Sequence, residues 1–127
     1  MDKRQKILIV DDSKLNRDIL KEILGETYNY LEAENGNQAI QMIGENIEID
    51  LMLLDINMPQ MNGFEVLKIM KRSQCIAETP VNIPIVAMTA NAFKEDEEMA
   101  LSVGMNGHIA KPIDVDKVEQ VLCSILR

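Results

Sequence analysis

Acidic and other reactive side chains follow several of the most apolar segments of the sequence. They are Asp11 and Asp12 after residues 7–10, Asp55 after 51–54, Thr89 after 83–88 and Lys111 after 107–110. If these segments are strands of one parallel sheet, their carboxyl ends meet at a single edge, where open α/β sheets bind ligands. The predicted site therefore contains three carboxylates, one hydroxyl and one ammonium group.

Three carboxylates in one cleft need a compensating cation. Two carboxylates about 4 Å apart repel by about 4 kcal/mol at an effective dielectric constant near 20. Lys111 supplies one positive charge, and a divalent ion would supply the rest. Oxygen ligands select a hard ion, and Mg²⁺ prefers one or two carboxylates together with phosphate oxygens. The residue types thus favour a site that holds Mg²⁺ and a phosphoryl group together.

The apolar segments have the pattern of a parallel sheet. Ile7–Val10 and Leu51–Leu54 are continuously apolar, which is typical of strands buried on both faces. Residues 83–88 and 107–110 resemble them, whereas 28–33 is more polar and suits an edge strand. We therefore expect five strands.

Between the strands, apolar residues recur at helical spacing. The predicted helical stripes are Leu15, Ile19, Leu20, Ile23 and Leu24; Ala39, Ile40 and Ile43; Phe64, Leu67 and Met70; Phe93, Ala100, Leu101 and Val103; and Val115, Val118, Leu122 and Ile125. Residues 35–37 and Asp114 are expected to begin the second and fifth helices, and Cys123 is assigned to the core. The alternation predicts a doubly wound α/β fold: a five-stranded parallel sheet with five helices on both faces, forming one domain over residues 1–127.

Composition excludes several other classes of protein. The 127 residues are 46% hydrophobic and 27% charged, with a net charge of -8, which argues against a direct nucleic-acid contact. The longest apolar runs are far shorter than the roughly 20 residues that span a bilayer, and the polar residues 1–6 do not form a secretory signal. We expect a cytoplasmic protein without a membrane segment. Because glycine-rich nucleotide loops are absent as well, the expected cofactor is an ion.

Four motifs, in order, carry a family resemblance. They are ILIVDD at 7–12, LLDINMPQMNG at 53–63, MTA at 88–90 and AKPI at 110–113. Over residues 5–126 the chain resembles the receiver domains of two-component response regulators, including the chemotaxis response regulator, whose flavodoxin-like sheet has the strand order 2-1-3-4-5. The style of the motifs is most similar to receivers of hybrid histidine kinases and multidomain signalling proteins.

The resemblance implies a role for each site residue. Asp55 would accept the phosphoryl group, and Mg²⁺ would be bound by Asp12, Asp55 and the backbone carbonyl of Asn57, with Asp11 assisting through water. Thr89 and Lys111 would each contact a phosphoryl oxygen. The implied partner is a histidine kinase or a histidine phosphotransfer domain. The chain would be a signalling receiver that assists its own phosphorylation and dephosphorylation rather than an enzyme.

Several alternatives remain open at this point. Asp11 or Asp12 could cap the first helix, Thr89 could cap the fourth, and Lys111 could be a solvated charge. The family often has Tyr or Phe where this chain has His108, which either turns inward on activation as a neutral imidazole or stays on the surface.

Two other functions compete with a receiver. One is a Mg²⁺-dependent phosphohydrolase that forms an aspartyl phosphate, although such enzymes usually have a second Asp where this chain has Asn57. The other is an adaptor whose acidic cluster binds metal but never a phosphoryl group. Since the chain ends at Arg127, it is either a single-domain receiver or part of a longer protein fused to an output or kinase domain.

Overall fold

Five short strands pair in parallel. In the computed structural model, which describes residues 5–44, 49–55, 84–89, 107–110 and 114–126, their sheet has the order β2-β1-β3-β4-β5, as predicted. The strands are β1 (Lys6–Val10), β2 (Asn29–Ala33), β3 (Leu51–Asp55), β4 (Ile85–Thr89) and β5 (Gly107–Ala110). Each lies within two residues of its predicted position. The continuous apolar runs of β1 and β3 are buried almost throughout, whereas the more polar β2 is only partly buried, as expected of an edge strand.

Three α-helices lie within the described residues. They are α1 (Lys14–Leu24), α2 (Gly36–Gly44) and α3 (Val115–Leu126), and a short 3-10 helix, Gly25–Thr27, follows α1. These correspond to the first, second and fifth predicted helices. The other two, predicted around residues 64–70 and 93–103, lie outside the described residues, so the full count of five helices stays a prediction.

Side-chain hydrogen bonds at the first residues of α2 match the predicted start signal. The Asn35 side chain accepts a hydrogen bond from the Gln38 backbone N–H at 2.9 Å, and the Gln38 side chain accepts one from the Glu34 backbone N–H at 2.8 Å. The backbone N–H of Gln38 in the first turn and that of Glu34 just before the helix are thereby satisfied, in an arrangement similar to a capping box.

The sheet separates two layers of packed side chains, because neighbouring residues of a strand point to opposite faces. On one face, α2 covers the α2-side cluster, and on the other, α1 and α3 cover the α1/α3-side cluster. The α2-side cluster comprises Leu8, Val10, Ala33, Ala39, Met52, Leu54, Ile85 and Ala87. The α1/α3-side cluster comprises Ile7, Ile9, Leu20, Leu24, Leu51, Leu53, Val86, Met88, Ile109, Val118 and Leu122. Helices on both faces confirm the doubly wound arrangement.

The buried face of α1 differs from the predicted stripe. Leu15 is 70% exposed, whereas Arg17, Leu20 and Leu24 are the buried residues of the helix. Arg17, Leu20 and Leu24 are separated by three and then four residues, which places them on one face of the helix. This is the face of α1 that meets the sheet. Including Leu15 in the buried stripe was therefore wrong. The charged residue Arg17 is instead the first buried residue of the helix.

Two further expectations about α3 were also wrong. Cys123, assigned to the core, is an exposed free thiol, and Val115 is 46% exposed. The buried residues Val118 and Leu122 define the inward face of the helix, and Cys123 comes directly after this face. A single residue of displacement along a helix rotates a side chain by about 100°, which is enough to move it out of the core.

None of the helices within the described ranges is long and apolar enough to cross a membrane.

Loss of the Asp114 side chain should destabilise α3. Its carboxylate accepts hydrogen bonds from the backbone N–H groups of Asp116 at 2.9 Å and Lys117 at 3.3 Å. We expect Asp114→Ala to lower the free energy of unfolding by about 1 kcal/mol, measured by urea denaturation. The control Asp114→Asn keeps an accepting oxygen and should retain most of the stability. Equal losses in the two variants would contradict the capping role.

Candidate functional site

Strand pairing brings the predicted acidic residues to the same edge of the sheet. Val10 of β1 is paired with Leu54 of β3, so the next residues, Asp11 and Asp55, lie at the same level. On the other side of β1, the Asp11 backbone N–H donates to the Ala33 carbonyl at 3.1 Å. As a result, carboxylate oxygens of Asp11, Asp12 and Asp55 lie within 4.8 Å of one another.

The members of this acidic cluster, Asp11, Asp12 and Asp55, differ in burial. Asp11 is 0% exposed and Asp55 is 2% exposed, whereas Asp12 is exposed. Carboxylates removed from water are costly unless they are paired, hydrogen-bonded or bound to a metal. The arrangement therefore has two carboxylates anchored in the protein and a third at the surface, where an ion can enter.

The turn between β1 and α1 fixes the first of these carboxylates. Asp11 Oδ1 accepts a hydrogen bond from the Ser13 backbone N–H at 2.9 Å, and Ser13 Oγ accepts one from the Asn16 backbone N–H at 3.3 Å. Ser13 is the N-cap of α1. The capping alternative thus applies in part: Asp11 stabilises the turn before the helix, and Ser13, rather than Asp12, caps it.

Arg17 also contacts this turn, and sequence reasoning missed it. Its Nη1 donates to the Asp11 backbone carbonyl at 2.6 Å, and its Nε donates to Glu32 Oε1 at 3.1 Å. Its Nη2 lies 3.9 Å from Glu34 Oε1. The available signal was the spacing of Arg17 from Leu20 and Leu24, which places a charge on the apolar face of α1.

Glu32 links the guanidinium of Arg17 to a second cation. Lys21 Nζ donates to Glu32 Oε2 at 3.0 Å, so both carboxylate oxygens are engaged. Burial raises the pKa of Glu32, but the hydrogen bonds and charges of Lys21 and Arg17 outweigh it, and the net pKa is lowered from the ordinary value of 4.5. The folded protein therefore favours the ionised form of Glu32.

The remaining predicted site residues are described only in part. Thr89 ends β4 and is paired with Ala110, which precedes Lys111, and His108 is paired with Ala87; of Thr89 and His108 the structure describes the backbone alone. Asn57 and Lys111 lie outside the described residues. Backbone pairing thus brings the ends of β3, β4 and β5 into register, while the contacts predicted for these side chains stay predictions.

The donor set fits the ion predicted from the sequence. The three clustered side chains of Asp11, Asp12 and Asp55 offer oxygen ligands only, which suits a hard cation such as Mg²⁺. Two negative charges held close to a third also leave an excess that a divalent ion would neutralise.

Comparisons with known proteins agree with this geometry. The family model described as "Response regulator receiver domain" matches residues 7–122. The chain is 34% identical to the sensor histidine kinase RcsC of Escherichia coli over 117 residues, covering 91% of this chain but 12% of that protein. It is 32% identical to the polar-differentiation response regulator DivK of Brucella anthropi, covering 94% of each. The chain therefore spans about an eighth of the length of RcsC but nearly all of DivK.

A solved structure shows the same fold. The receiver domain of the response regulator Ssk1 of Saccharomyces cerevisiae, crystallised with the histidine phosphotransfer protein Ypd1, superposes with a TM-score of 0.81 at 25% identity. The match covers 94% of this chain and 87% of the other. The flavodoxin-like fold implied by the motifs is thus confirmed.

The lowered pKa of Glu32 predicts a pH-dependent effect on stability. Because its pKa is lower in the folded than in the unfolded state, its contribution is present above about pH 4.5 and lost as the pH falls through the folded-state value. Glu32→Gln should therefore be less stable than the wild type near pH 7. The difference between their urea midpoints should become smaller as the pH is lowered to about 3. Glu34→Gln removes only the longer contact and should cost less at neutral pH. A difference between wild type and Glu32→Gln that stays constant with pH would contradict the linkage.

Repulsion within the acidic cluster predicts that Asp12→Asn stabilises the metal-free protein. The substitution removes one of three negative charges and keeps the shape of the side chain. In buffer containing a chelator, we expect the melting temperature to rise by about 3 °C, measured by circular dichroism. With Mg²⁺ added, the ion should raise the melting temperature of the wild type more than that of the variant. A lower melting temperature of the variant without metal would mean that Asp12 stabilises the fold locally.

Proposed function

Because this chain belongs to the receiver domains of two-component response regulators, we propose that Asp55 is its phosphoacceptor in a phosphorelay. The observation that carries the proposal is the cluster of Asp11, Asp12 and Asp55 oxygens within 4.8 Å at the carboxyl edge of the sheet. Asp55 ends β3, every residue of which is buried, so its carboxylate is held on a rigid element. Rigid positioning of a carboxylate nucleophile is what in-line phosphoryl transfer requires.

The proposed reaction moves a phosphoryl group from a phosphohistidine of a partner to Asp55. A carboxylate oxygen of Asp55 attacks phosphorus, the phosphorus–nitrogen bond breaks, and the electron pair of that bond stays with the imidazole, which takes a proton from water. The product is an aspartyl phosphate. Hydrolysis later returns Asp55 and releases inorganic phosphate.

Other residues of the chain would bind the ion and the transferred group. Asp12, Asp55 and the backbone carbonyl of Asn57 would hold Mg²⁺, with Asp11 acting through water. Bound Mg²⁺ would supply charge neutralisation to the phosphoryl oxygens. Lys111 would pair with one of these oxygens and Thr89 would donate a hydrogen bond to another.

Phosphorylation would then serve as a signal rather than as turnover of a substrate. An aspartyl phosphate carries roughly -1.5 to -2 charges where the free carboxylate carries -1, and this added charge and bulk bias a two-state surface element that includes Thr89.

We propose a histidine kinase or a histidine phosphotransfer domain as the donor. The Ssk1 receiver crystallised with Ypd1, and the presence of a similar segment in RcsC, support this class of partner and a possible fusion in a longer protein. One domain over 1–127, five helices and a cytoplasmic location complete the proposal.

Labelling with acetyl phosphate separates this function from its competitors. With Mg²⁺ present, a receiver should take up one phosphate per chain as a base-labile acyl phosphate, measured by intact mass. A phosphohydrolase would release many equivalents of inorganic phosphate without accumulation of a phosphorylated chain, and a metal-binding adaptor would incorporate none. Either of the last two results would overturn the proposal.

Asp55→Asn should abolish labelling and leave the fold intact, because it removes the nucleophile and keeps the side-chain shape. We expect less than about 1% of wild-type incorporation, with an unchanged far-ultraviolet circular dichroism spectrum. Asp50→Asn is a matched control, since Asp50 lies at the opposite end of the sheet, where its carboxylate accepts from the Lys6 backbone N–H. Persistent labelling of Asp55→Asn at another residue would overturn the assignment of the phosphoacceptor.

A further inference from the structure

We infer that Arg17 is a positioning residue for the acidic cluster: it holds the backbone of the turn from Asp11 to Ser13 in the conformation that binds the cation. The inference rests on the proposed metal site and adds a residue from the interior of α1. Arg17 touches none of the three clustered carboxylates in the contacts above; it acts through the carbonyl of Asp11.

The backbone of Asp11 is held from two sides. Its N–H donates to Ala33 of β2 at 3.1 Å, and its carbonyl accepts from Arg17 Nη1 at 2.6 Å. The second contact is a short, charge-assisted hydrogen bond. Since Asp11 Oδ1 also accepts from the Ser13 N–H, the orientation of this turn is set before any ion arrives.

The guanidinium is itself anchored to β2. Arg17 is 6% exposed, and its Nε donates a hydrogen bond to one carboxylate oxygen of Glu32. Lys21 donates to the other oxygen of the same carboxylate. Arg17 thus bridges α1, β2 and the turn that follows β1. A planar guanidinium can present donors in these different directions from a single fixed group, whereas the ammonium of lysine is a point charge.

The charge of Arg17 does not explain its place near a cation site. A positive group close to bound Mg²⁺ repels it, so charge alone would make Arg17 unfavourable there. Glu32 and, at 3.9 Å, Glu34 lie next to the guanidinium and balance it. Geometry and charge therefore predict opposite results when the guanidinium is removed.

The test compares Arg17→Met, which keeps an unbranched apolar stem, with Lys21→Met. The control variant Lys21→Met removes a positive charge next to Glu32, as Arg17→Met does, but it does not remove a hydrogen bond to Asp11. Mg²⁺ affinity is measured by isothermal titration calorimetry well below the melting temperature of each variant, and amide shifts of Asp12 and Ser13 locate the ion. We expect Arg17→Met to raise the Kd for Mg²⁺ about tenfold, in the range found for residues that orient metal ligands. Lys21→Met should leave the Kd unchanged or lower it.

Arg17→Lys is the second variant, for use if Arg17→Met does not fold. It keeps the charge but loses the planar fork, so we expect a Kd between those of the wild type and Arg17→Met. A Kd of Arg17→Lys equal to the wild-type value, or an unchanged or lower Kd of a folded Arg17→Met, would overturn the positioning role and leave the proposed function standing. Failure of the wild type to bind Mg²⁺ would overturn both.

Discussion

Mutual repulsion among the carboxylates of Asp11, Asp12 and Asp55 is the constraint that the rest of the structure has to oppose. Their oxygens lie within 4.8 Å of one another, and two of the three residues are buried. The opposing force comes from the pairing of β1 with β3, whose apolar side chains are packed on both faces of the sheet. Moving Asp11 or Asp55 away from the other would break backbone hydrogen bonds between the strands and expose this core. The strands therefore hold together charges that would separate in solution.

The strands were predictable because of their position in the sheet. A central parallel strand is buried on both faces, so its sequence is continuously apolar, and Leu51–Leu54 needs no knowledge of its neighbours to be identified. Helix orientation was harder to predict. Whether Leu15 or Arg17 faces the sheet depends on the rotation of α1 about its axis, which the packing against β1 and β2 decides. The same dependence explains why Cys123 was wrongly assigned to the core.

In the candidate site, too, some features could be predicted from the sequence and others could not. Asp11, Asp12 and Asp55 could be brought together from the sequence, because a parallel sheet places the ends of its strands at one edge. The part played by Arg17 could not, because its partners Asp11 and Glu32 lie 6 and 15 residues away in the chain. The contact with Glu32 exists only once β2 is paired with β1, and neither contact has a short motif. Roles that involve Lys111 and Asn57 were implied by family motifs and stay predictions.

The division of the core into two layers has a consequence for how such a chain can change over time. The sheet lies between the α2-side cluster and the α1/α3-side cluster, so a side chain in one layer does not pack directly against a side chain in the other. Substitutions on opposite faces that lie more than about 7–10 Å apart should consequently combine with nearly additive effects on stability, whereas those in contact within a layer depend on one another. One face of the domain can therefore diverge among homologues without requiring compensating changes on the other.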